Sequence, residues 1–78
     1  MSDRMSYPHG IEEHDIVRFT RPVGAWPVGM GGTVVNVWGA DEVMVEIVEH
    51  PSGYTLDVID VPVDCVKVTI PQGIRAVA

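Results

Sequence analysis

Residues 31–49, GGTVVNVWGADEVMVEIVE, decide the fold class. Their second half, 42–49, sets Val43, Val45 and Ile47 on one side and Glu42, Met44, Glu46 and Val48 on the other. A period of two belongs to a half-buried strand in an antiparallel sheet with one solvated face. Residues 32–38 form a second apolar run, opened by Gly31-Gly32 and ended by Gly39. In it Val35 and Val37 are expected inward and Val34 and Asn36 outward, with a β-bulge near Val34-Val35. Residues 39–41 (GAD) make a tight turn between the two runs.

The same reading extends outward. Residues 15–20 (DIVRFT) are expected as the first strand, with Val17 and Phe19 in the core and Arg18 outside. Residues 21–31 hold two Pro and three Gly, so they form a long loop, with Trp26 in its middle. Residues 50–53 (HPSG) carry hairpin-turn chemistry. Residues 54–61 are a fourth strand. There Leu56 and Val58 fall on one face with Tyr54, and Thr55, Asp57 and Ile59 on the other, with Ile59 expected outward. A short 3₁₀ turn at 62–64 leads to a fifth strand over 64–70, with Val66 and Val68 inward and Lys67 outward. The expected organisation is a flexible arm at 1–13, a barrel at 14–70 and a tail at 71–78. Ile11 and Tyr7 are the residues able to anchor the arm.

Composition agrees with this pattern. Val occurs 15 times and Ile 6 times, against a single Leu. β-Branched side chains suit a pleated surface, whereas helical cores draw on Leu and Ala. Eight Gly and six Pro cut the chain into pieces too short for helices. The expectation is an all-β domain, a small five-stranded SH3-like barrel whose partial closure removes most of the exposed strand edge.

Several motifs of this chain also resemble a known family. His14-Asp15-Ile16-Val17-Arg18-Phe19, then Gly29-Met30-Gly31-Gly32-Thr33-Val34-Val35, look like the opening of the small bacterial DUF4926 family. Val45-Glu46-Ile47-Val48, Gly53-Tyr54-Thr55-Leu56 and a Pro62 shortly before Asp64 fit its later part. The resemblance covers residues 13–69. It implies an SH3-like barrel similar to KOW modules and to the barrel of the nitrile hydratase β subunit. It brings no catalytic residues, because the family is one of unknown function. Small proteins of this kind also occur among mobile gene cassettes and near toxin–antitoxin or immunity genes. The longer N-terminal arm and the two Trp residues depart from the family pattern.

Charge and residue inventory narrow the function classes. Eleven acidic residues against five basic ones give a net charge of -6, which opposes binding of a phosphate backbone. No nucleic-acid partner is therefore expected. Apolar runs are only a few residues long, so neither a membrane span nor a signal peptide is expected, and the cytoplasm is the expected location. One Cys excludes an internal disulfide and any multi-cysteine zinc site. His9, His14, His50 and Cys65 show no metal-ligand spacing, so no metal or other cofactor is expected. Gly29-Met30-Gly31-Gly32 leads into a strand and not a helix, which removes the phosphate-cradle reading. A chain this short buries only about 60% of its unfolded surface. That leaves little volume for a catalytic cleft, and no catalytic residue or enzymatic activity is expected.

What remains is binding. Trp26, Trp38, Tyr54, Met30 and Met44 are the candidate surface residues. Val34, Met44, Val48 and Ile59 fall on the face assigned outward, so an apolar patch is expected to be left over. A homo-oligomer, or another protein bound through the Trp26/Trp38 side, would cover it. The alternative for Trp26 is a lid on one end of the barrel. The alternative for the whole protein is an acidic accessory or antitoxin-like neutraliser of a basic partner.

Overall fold

The computed structural model describes residues 7–49 and 51–71. Five strands form one antiparallel sheet: β1 (Ile16–Phe19), β2 (Gly31–Val37), β3 (Glu42–Val48), β4 (Thr55–Pro62) and β5 (Val66–Ile70). A 3₁₀ turn, Val63–Cys65, joins the last two. The strand order is β4-β3-β2-β1-β5. The first and last strands are neighbours in that order, so the chain curls back on itself as a small all-β, SH3-like barrel.

The core is short. Ile11, Val17, Phe19, Val34, Val43, Val45, Ile47 and Val61 are its buried apolar residues. β3 contributes every second residue, as its alternation requires. Ile11 ties the segment before β1 to this core. His9 holds the same segment from above: its Nε2–H donates to the Gly39 carbonyl and its Nδ1 accepts from the Ile11 N–H, each at 2.9 Å. That pair of bonds requires the neutral Nε2–H tautomer.

Two bulges decide which side chains face inward. Val34 pairs with Val45 and Asn36 with Met44, so Val35 is the extra residue. The expected bulge is therefore present. Its consequence corrects the outward assignment of Val34, because the side chain is fully buried while Val35 is exposed. One inserted residue reverses every facing on its far side. Ile47 pairs with Asp57 and Val48 with Thr55, so Leu56 is the extra residue of β4. Beyond it Ile59 pairs with Val45 and Val61 with Val43, both buried residues of β3. Ile59 and Val61 therefore face the core. The expected faces of the fourth strand are reversed, with Leu56 and Val58 outside.

The tightest approach lies at Gly32. A Cβ there would stand 2.5 Å from the Glu46 carbonyl oxygen and 2.6 Å from Val45 Cγ1. Both are parts of β3 that cannot swing aside. β2 is the strand shared by β1 and β3, and at this point it presses its bare backbone against its neighbour. A second local demand sits at the turn before β1. The Asp15 N–H returns to the Glu12 carbonyl at 3.2 Å, and the Glu12 N–H donates to Asp15 Oδ2 at 2.9 Å. His14, third in this turn, has φ 74°, a left-handed conformation disfavoured by a side chain.

Two stability predictions follow from these positions. Gly32→Ala lowers the stability by about 1–3 kcal/mol in urea denaturation. Gly39→Ala, where nothing lies within 4 Å of the added carbon, stays within about 0.5 kcal/mol of the parent. His14→Gly raises the denaturation midpoint by relieving a strain of about 1 kcal/mol, and His14→Val lowers it. Equal midpoints for the two His14 variants would contradict the assigned backbone.

Candidate functional site

β4 is the strand to which both tryptophans attach. The long loop between β1 and β2 is closed at its base by backbone bonds from Phe19 N–H to the Met30 carbonyl and from Gly29 N–H to the Phe19 carbonyl. Arg18 Nη1 adds a bond to the Gly29 carbonyl at 2.9 Å. The loop tip is a two-residue hairpin in which Val23 and Trp26 exchange backbone bonds at 2.9 and 2.8 Å. Gly24, its first central residue, has φ 56°, the signature of a type II′ turn. This small hairpin carries Trp26 onto the open end of the core, where the ring is half-buried against core residues.

Trp26 is thereby a lid, and it is fastened. Its Nε1–H donates to Asp57 Oδ2 at 3.2 Å. Asp57 Oδ1 accepts the backbone N–H of Val58 at 2.9 Å. One carboxylate thus links a loop to the strand it covers. Between the loop tip and β4 lies a cleft of about 310 Å³ lined by Val23, Gly24, Ala25, Trp26, Asp57, Ile59 and Asp60.

Trp38 follows β2 and behaves differently. Its backbone N–H donates to the Glu42 carbonyl at 3.0 Å, which fixes the turn into β3. The residue stays 52% exposed. Its Nε1–H donates to Asp60 Oδ1 at 2.7 Å. Asp57 shares the core-side parity of Ile59 and Val61, whereas Asp60 shares that of Val58. The two indoles therefore reach β4 from its two faces, at residues about 10 Å apart along the strand.

The five candidate residues do not form one site. Met44 is half-buried on the outer face and pairs with Asp60, so it stands with Trp38. Met30 is half-buried and packs on the core, beside Ile16, Val17 and Val48. Tyr54 is 73% exposed at the far end of β4, about 20 Å from Asp60 along the strand. Leu56 and Val58, which sequence reasoning placed inside, are 48% and 47% exposed and belong to the surface instead. Asp57 and Asp60 were also missed as a pair that receives the two indoles. No local pattern marks them, because each partner lies more than twenty positions away in the chain.

Charge is unevenly placed around this strand. Asp41 and Glu42 meet the C-terminal end of β4, where Glu42 pairs with Pro62 and the Asp41 carbonyl accepts the Val63 N–H. Glu46 pairs with Val58, and Thr55 donates its hydroxyl to the Glu46 carboxylate. Arg18 and Lys67 are paired neighbours across β1 and β5, at the other end of the strand order. Among the described residues no cluster of three or more His, Cys, Asp or Glu is placed to hold a metal ion. His50, one of the residues weighed as a ligand, lies outside the described residues. Cys65 is half-buried beside the core. No helix of the described residues is long and apolar enough to cross a membrane.

Compared with known proteins, the chain matches no family model, no curated protein and no solved structure.

The two tryptophans should separate in a denaturation experiment. Trp26→Ala uncovers core and is expected to cost about 2 kcal/mol, below the roughly 3–5 kcal/mol of a fully buried aromatic. Trp38→Ala should cost under about 1 kcal/mol, as surface substitutions do. The reverse order would make Trp38 the structural residue and Trp26 the surface one.

Proposed function

We propose that the protein is a non-enzymatic interaction module that recognises a protein partner through the outer face of β3 and β4, with Trp38 at its centre. One observation carries this reading. Trp38, Met44, Leu56 and Val58 lie at or near the surface on one side of the barrel, although the core has few apolar residues of its own. A single exposed Leu needs no explanation, but several large apolar side chains on one face of a small domain favour a contact surface. Exposed Trp is a frequent anchor of such contacts. Trp26, fastened over the core, supports the surface without forming it.

The reading is tested with a photoreactive residue placed at position 38 and, in a separate sample, at position 67. The protein is irradiated in the cells that make it. Discrete adducts from position 38 that are absent from position 67, and that disappear with Val58→Lys, are the expected result. Equal adduct patterns from both positions would overturn it.

A further inference from the structure

The outer edge of β4 is the feature that the interaction reading leaves unused. β4 is the last strand in the order, so its side away from β3 pairs with no other strand of the sheet. The bond from the Val58 N–H to the Asp57 carboxylate shows which way that edge points. By the alternation of an antiparallel ladder, the backbone groups of Val58 and Asp60 are directed away from β3 and toward solvent. Natural edges of this length are usually guarded by Lys, by an interior Pro or by a covering element. Here the strand holds no Lys or Arg, and its one Pro, Pro62, is the final residue. Among the described residues the guard is the Asp57 carboxylate, held in place by the Trp26 indole at the tip of the β1–β2 loop.

We infer that the β4 edge accepts an added strand: an extended, basic segment of a partner protein, alternating Arg or Lys with apolar residues. This inference rests on the interaction reading above and names its partner's chemistry. Charge complementarity selects the occupant. Asp57 and Asp60 flank the edge, with Glu46 on the outer face and Asp41 and Glu42 at its end. A second copy offering its own β4 would set Asp57 and Asp60 against the same residues, and like charges directly opposite are destabilising. A basic strand meets the opposite field. Its backbone carbonyl replaces Asp57 as the acceptor of the Val58 N–H. The released carboxylate then faces an incoming cationic side chain at the cleft of about 310 Å³, whose wall is the Trp26 ring. Carboxylates beside an aromatic face suit a guanidinium or ammonium group. Side chains of alternate parity lie along Val58 on the outer face.

The test is an amide-resolved NMR titration of the full chain with a capped peptide of alternating valine and arginine. The expected result is saturable shifts at the Val58 and Asp60 amides and at the Trp26 indole N–H. Affinity should fall about tenfold or more between roughly 0.1 and 1 M salt, as the Debye length shrinks from about 10 to about 3 Å. Asp57→Asn with Asp60→Asn should weaken binding by a similar factor while the spectrum stays dispersed. A peptide methylated on its backbone nitrogens should lose binding, since the added strand can no longer bond along the edge. Equal binding of the methylated peptide would overturn strand addition and leave the surface reading standing. Shifts confined to the neighbourhood of Arg18 and Lys67, or no binding at all, would overturn it too. So would a mass that rises with concentration in light scattering and shifts the same β4 amides without peptide, because the occupant would then be a second copy. Failure of the surface reading itself shows elsewhere, in the adducts from position 38.

Discussion

No side chain fits at Gly32, and the barrel depends on that. β2 must serve two partners, β1 on one side and β3 on the other. It does so within seven residues, and at Gly32 an added Cβ would stand 2.5 Å from the Glu46 carbonyl oxygen. Glycine in a strand is ordinarily a weakness, because it leaves nothing to pack and loses more freedom on folding. Here the absence of a Cβ is what lets the sheet coil tightly enough to enclose a core. The bulge at Val35 works in the same strand and to the same end, since bulges increase local twist.

Tight coiling yields a small core, and the smallness explains the accessory parts. Among the described residues the strands themselves supply only seven buried apolar side chains. Ile11 fills one gap from the segment before β1, held by the His9 bonds to Gly39 and Ile11. Trp26 fills another from the long loop. A loop that would be long for a plain connection thus has a structural task. The glycine at position 24 allows the turn that aims the indole, and Asp57 fastens it.

The same economy shapes the surface. Large apolar side chains that find no place inside are left on the outer face of β3 and β4, among carboxylates. Trp38 is held over that face by Asp60 and is not buried by it. Apolar side chains surrounded by one sign of charge are poorly suited to meeting their own copy and well suited to an oppositely charged partner. The edge of β4 adds directional hydrogen bonding to that field. The strand addition proposed for this edge would draw its strength from backbone bonds and its selectivity from alternate side chains.

The chain by itself determined the number of strands, their positions and the all-β class. Those follow from local rules: a period of two in 42–49, a Val-rich composition, and Gly and Pro at the breaks. It also determined the inward set of β3 and the pairing of Val17 with Phe19 in the core. Only the tertiary structure decided the facing of Val34, Val58 and Ile59. Facing along a strand is counted from one residue to the next, so a single extra residue at Val35 or Leu56 reverses the count, and where the extra residue falls is set by the partner strand. The roles of the two tryptophans were likewise undecidable locally. Trp26 and Trp38 are both apolar rings beside turns, and what separates them is a carboxylate on each face of β4. Those carboxylates come from a distant part of the chain, and only folding brings them within hydrogen-bonding reach.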